Sequence, residues 1–92
     1  MFIKLHRIHK NGKGYYLSEI VVNVSHVSFL TENREFREAL LEGKLDMDIN
    51  KAAEFTDVAI NKAGNAHTIT VVGSVSMIEN KINSSAKQLL RG

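Results

Sequence analysis

The sequence predicts an α+β domain: a small, mainly antiparallel β-sheet with a short central helix and a C-terminal helix packed on one face. Three observations carry that expectation. Apolar and polar residues alternate one by one from Phe2 to Ile8, the pattern of a half-buried strand. Two short stretches of turn chemistry, Lys10–Gly14 and Lys62–Ala66, each lie between runs of strand character. Apolar residues recur at helical spacing in two further places, residues 31–43 and 74–89.

Taken in order, Ile3 and Leu5 alternate with Lys4 and His6 in the first strand, and the Asn11-Gly12 step that follows tolerates positive φ and favours a tight turn. Tyr15 to Leu17 opens a second strand. The run Ile20 to Leu30 is rich in β-branched residues and reads as strand throughout, although neither of its faces is cleanly apolar. Thr31 to Gly43 reads as a short helix, capped by Thr31 or Asn33, with Phe36, Leu40 and Leu41 on its apolar side and Gly43 closing it. Leu45, Met47 and Ile49 then alternate with Asp46, Asp48 and Asn50, which predicts a strand; the alternative is a turn of helix through Ala52 and Ala53 capped by Asp48. Phe55–Asn61 and His67–Val72 form the arms of a hairpin. Ser76 with Glu79 fits a capping box, or Ser74 caps one step earlier, and Ile78, Ile82, Ala86 and Leu89 line the terminal helix.

At this length the chain is one domain, 1–92, and a domain of that size gains from self-association, so a homo-oligomer is expected. It has no cysteine, which excludes disulfides, thiolate metal sites and cysteine nucleophiles and fits a reducing compartment. No apolar stretch is long enough to span a bilayer or form a signal core, so a soluble, cytoplasmic protein without membrane partners is expected. The formal charge of +2 hides a segregation. Residues 1–31 set Lys4, Arg7, Lys10 and Lys13 against Glu19 alone. Residues 32–57 set Arg34, Arg37, Lys44 and Lys51 against Glu32, Glu35, Glu38, Glu42, Asp46, Asp48, Glu54 and Asp57. Residues 58–92 return to a basic excess. Such layouts speak to partners or to internal pairing, not to fold.

Both ends of the chain resemble the FlbD-like family of small flagellar and swarming-motility accessory proteins, whose relatives also occur among small phage proteins. The likeness rests on Ile3-Lys4-Leu5-His6-Arg7-Ile8, the Asn11-Gly12-Lys13 turn and Tyr15-Tyr16-Leu17 at one end, and on Val71-Val72, Ser74-Val75, Ile78 and Lys81-Ile82 at the other. The resemblance implies a small non-enzymatic domain with no catalytic residues, in which a simple β connection takes the place of residues 32–57. That acidic segment therefore reads as an insert whose deletion leaves a folded core.

Sites of catalysis are not evident. Asp46-x-Asp48-x-Asn50 copies the opening of a calcium loop, but Lys51 stands where glycine is needed and Asp57 where a bidentate glutamate closes the loop. His6 and His9, three apart on a strand, point to opposite faces, so no metal site is expected. No serine stands in a nucleophile elbow, and Gly12-x-Gly14 is too short for a dinucleotide loop. With no titratable pair at catalytic spacing, neither an enzyme nor a cofactor is expected. Two function classes remain. One is an accessory or regulatory protein that binds a protein partner through the acidic segment, with Glu35, Phe36, Glu38, Leu40 and Leu41 as interface candidates. The other is a module for a phosphate-bearing ligand, a nucleic acid or a nucleotide, held by Lys4, Arg7, Lys10, Lys13, Tyr15 and Tyr16.

Overall fold

The computed structural model of the chain describes residues 1–12, 14–45, 47 and 49–91, with side chains as far as residue 84. The first two strands, β1 (Phe2–Asn11) and β2 (Gly14–Asn23), form a long hairpin in register from Phe2 opposite Asn23 to Asn11 opposite Gly14. After β2 a single 3-10 turn (Val24–His26) leads into β3 (Val27–Glu32), then α1 (Arg34–Leu41), β4 (Phe55–Lys62), β5 (Asn65–Val72) and α2 (Val75–Arg91). Among the described residues the sheet has five strands, all antiparallel, in the order β2-β1-β5-β4-β3.

That order forces curvature. β2 and β3 are the two edges of the sheet, which in a flat five-stranded sheet would lie about 19 Å apart at the usual strand spacing. Only the 3-10 turn joins them, and its three residues advance about 6 Å. The sheet therefore curls until its edges approach at this end, which brings Val22 of β2 into one core cluster with Val58 and Ile60 of β4. A register shift between Val27 and Phe29 adds a bulge that helps β3 bend.

Two cores result, one on each face. The inner face of the curl holds Ile3, Leu5, Val22, Val58, Ile60, Ile69 and Val71, closed by Ile78 of α2. On the outer face, α1 and the chain after it cover one end of the sheet, where Ile8, Leu40 and Phe55 are buried among Tyr15, Phe36, Leu45, Met47, Ile49 and Val72. The terminal helix thus packs on one face as expected, and the central helix takes the other.

The structure corrects several expectations in detail. The Ile20–Leu30 run is not one strand, because Asn23 Oδ1 accepts both the backbone N–H (3.0 Å) and the hydroxyl (2.8 Å) of Ser25 and turns the chain. Asn33, not Thr31, caps α1, its Oδ1 accepting the N–H of Phe36, while Thr31 lies in β3. Residues 44–50 form no strand among those described. Leu45, Met47 and Ile49 do point to one side, but onto the outer core rather than into a ladder, so their alternation marks one-sided burial of irregular chain. At Ala52 and Ala53 the chain makes a turn but not a helix, with Asn50 accepting both N–H groups through its side-chain and backbone oxygens; Asp48, like Asp46, lies outside the described residues. Ser74, not Ser76, caps α2 through the N–H of Met77. The stripe residues Ile78 and Ile82 reach the inner core, and the side chains of Ala86 and Leu89 lie outside the described set.

Candidate interaction surface

Alternation along the β1–β2 hairpin disperses the basic candidates. Lys4 and Lys10 share the outer face but stand six residues apart, about 20 Å along a strand, and Arg7 points to the inner side. Lys4 is already 3.5 Å from Glu19, an exposed pair that contributes about 0–1 kcal/mol. Lys13 lies outside the described residues. The two tyrosines also part company. Tyr15 packs edge-on against Phe36 with centroids 5.6 Å apart, and Tyr16 stacks on His9 at 5.0 Å with its ring half exposed. His9 is further fixed by Ser18, whose Oγ lies 2.6 Å from Nε2. The five described anion-binding candidates therefore form no single pocket.

The acidic segment pairs with itself. Arg37 lies within 4 Å of both Glu32 and Glu54, Arg34 bonds Glu32, and Lys44 bonds Glu42. Of the interface candidates, Leu40 is buried in the chain's own outer core, and Phe36 packs partly into that core while still lining a surface groove. Both had been expected to hold a partner. Glu35, Glu38 and Leu41 remain exposed on α1. Nor is the whole of 32–57 dispensable: Glu32 and Phe55–Asp57 belong to β3 and β4, and Phe55 is fully buried. Asp57 accepts hydrogen bonds from Thr70 Oγ1 (2.7 Å) and Asn33 Nδ2 (3.0 Å), tying the α1 cap to the sheet.

What sequence reasoning missed is the free edge of β2. The bond from Val24 N–H to the Met1 carbonyl fixes the phase of the β1–β2 ladder. Residues 14, 16, 18, 20 and 22 then bond β1, and residues 15, 17, 19, 21 and 23 turn their N–H and C=O groups away from it. Among the described residues no other strand pairs with this edge, although at the end formed by residues 20–23 Ile60 and Lys62 of β4 and His26 line a groove of about 310 Å³ with it. Natural edges are guarded by charge, proline or bulges, yet β2 carries only Glu19, no proline and no irregularity in register. Beside the edge, on the outer face, Val21 is 59% and Leu17 38% exposed, with Phe2 in the next strand at 63%. The available signal was the lack of guarding residues between Gly14 and Asn23, but edge status follows from strand order, which no local pattern encodes.

Besides the groove at its Val21 end, two further shallow grooves flank this surface. One, of about 190 Å³, is lined by Tyr15, Glu35, Phe36, Ala39 and Leu45. The other, of about 360 Å³, lies between the hairpin and α2 and includes His6, Leu17, Ile49, Met77 and Lys81. Among the described residues no group of histidines and carboxylates is arranged to hold a metal ion, and no helix is long and apolar enough to cross a membrane. No family model, curated protein or solved structure matches the chain.

Proposed function

We propose that this chain is a small, cytoplasmic, non-enzymatic accessory or regulatory protein that acts by binding a protein partner, and that the free edge of β2 is where the partner docks. The observation that carries this reading is the coincidence of unpaired edge backbone with exposed Leu17, Val21 and Phe2 beside it. An added strand finds main-chain hydrogen bonds along the edge and apolar contacts on the face next to it, the recurring mode of strand addition. The FlbD-like resemblance points to the same class, and its matched segments adjoin in space: Ile78 and Ile82 pack with Ile3 and Leu5, and Lys81 Nζ donates to the Lys4 carbonyl.

The test is a photo-crosslinking residue placed at position 21 in the producing cell, with crosslinked peptides identified by mass spectrometry. Adducts are expected at position 21 and should vanish when Leu17→Glu is added. A yield no higher than at position 34, exposed at the start of α1 in a groove that no residue of β2 lines, would refute the proposal.

The anionic-ligand reading keeps one supporting observation. Arg7, His9 and Tyr16 share a side of the hairpin, and Tyr16 offers an exposed ring for stacking. It requires binding to single-stranded nucleic acid that weakens steeply with salt and is lost in Arg7→Glu/Tyr16→Ala; unchanged affinity in that variant removes it.

A further inference from the structure

The β2 edge is not only open; it is complementary to itself. We propose that its occupant is a second copy of the same chain, β2 pairing antiparallel with the partner's β2 about a two-fold axis at Ser18. The proposal rests on the edge reading above and names the partner. Edge-to-edge pairing between identical strands is isologous, each contact occurring twice.

The register follows from parity and charge. Only odd-numbered residues point their backbone groups outward, so odd must face odd across the axis. The two registers that meet that condition with the longest overlap, all but one residue of the strand, are centred on Ser18 and on Glu19. The second sets the two Glu19 carboxylates directly opposite each other, which is unfavourable. The first places Tyr15 opposite the partner's Val21 on one face and Tyr16 opposite the partner's Ile20 on the other. Aromatic against β-branched is among the favourable cross-strand pairings.

The outer face supplies a second argument. Val21 is the most exposed large apolar side chain of β2, at 59%, on the rim of the groove it lines with Phe2, His26, Ile60 and Lys62. In the Ser18 register the partner's Val21 arrives beside Tyr15, next to the groove lined by Phe36, Ala39, Leu45 and Glu35. Lys4 lies opposite Val21 in the β1–β2 ladder, so the partner's Lys4 comes to the same side as Glu35. One exposed apolar residue without a role, and one groove without an occupant, thus account for each other twice over.

Light scattering on the purified full chain across micromolar to millimolar concentration tests the proposal. The mass should rise from 10.3 kDa toward twice that value. Isotope-filtered NMR on a mixed labelled and unlabelled sample should show contacts between Tyr15 and Val21 of different chains. Glu19→Pro removes an outward N–H without touching the β1 ladder, and should leave a monomer whose hairpin amides keep their protection. If that variant does not fold, Val21→Lys serves the same purpose from the side-chain face. A wild-type chain that stays monomeric at millimolar concentration overturns the proposal, as does an edge variant that still dimerises. A monomer whose position-21 crosslinks in the cell run to a different protein overturns self-pairing while leaving the proposed function standing. Failure of both removes the edge altogether.

Discussion

Gly73, between β5 and α2, is the position where one methyl group should do most damage. Its φ is +129°, and a Cβ there would collide with the Met77 methyl and lie 3.2 Å from Ile78 Cδ1. The residue is also held in place: its N–H donates to the Glu54 carbonyl at 2.8 Å, and its own carbonyl accepts the buried Thr56 hydroxyl at 2.8 Å. The backbone therefore cannot swing to a negative φ without breaking both bonds. An unfavourable φ costs about 1–3 kcal/mol, whereas Met77, nearly half exposed and flexible, can move aside cheaply. Gly73→Ala should thus lose about 2–3 kcal/mol, which for a domain of this size lowers Tm by roughly 10–20 °C. The assay is urea and thermal unfolding of the single variants and of Gly73→Ala/Met77→Ala. The double variant should recover only the contact part, about 0.5–1 kcal/mol, and keep the φ penalty. A single variant within 0.5 kcal/mol of wild type, by the error of about that size in such cycles, would refute the reasoning.

Other substitutions probe other parts of the structure. Asn33→Ala removes the α1 cap and a partner of Asp57 together, and should cost about 1–2 kcal/mol in urea unfolding. Leu40→Ala should cost about 2–4 kcal/mol, because Leu40 is buried, while the neighbouring and exposed Leu41→Ala should change stability by about 0.5 kcal/mol or less. Ala63 has φ +51° in the two-residue β4–β5 turn with Gly64 at +85°, so Ala63→Asn gives the favoured Asn-Gly pair and should stabilise by about 0.5–1 kcal/mol.

The parts of this fold that were legible in the sequence are those set by local chemistry. The Asn-Gly and Ala-Gly-Asn turns, the alternation of Ile3 and Leu5 with polar residues, and the Ile78–Ile82 stripe each encode structure within a few residues, and hairpins and helix appear where they fall. What escaped is non-local. The apolar Val24 and Val27 masked a break that Asn23 and Ser25 make with two short hydrogen bonds. The alternating 45–49 stretch showed burial on one side and nothing about whether a neighbouring strand exists to pair with. The candidate surface was hidden for the same reason. Phe36 and Leu40 looked available because their own core, built from Ile8 and Phe55, is distant in sequence, and the buried side of the Val21 run stayed open because the strand order that leaves Val21 outside is not a property of its neighbours.

The acidic segment can now be divided into a part the sheet needs and a part it carries. Asn33 N–H bonds the Phe55 carbonyl at 2.9 Å as the last rung between β3 and β4, so residues 34–54 leave and return at a single hydrogen-bonded pair. That geometry accepts a two-residue turn. Replacing Arg34–Glu54 with Asn-Gly should therefore preserve β3, β4 and the inner core, in which none of the removed residues takes part. The outer core would open, and re-exposing Ile8 and Phe55 should cost at most about 3–6 kcal/mol. This is offset in part because the removed residues no longer need ordering. The variant should still unfold cooperatively in urea, and the amides of Leu5, Ile69 and Val71 should stay protected in hydrogen exchange. Loss of a cooperative transition would mean that α1 and its loop are integral to the domain. A folded product would instead mark them as an elaboration seated on one face of a smaller β-sheet unit, joined by the kind of simple connection that the FlbD-like resemblance implies.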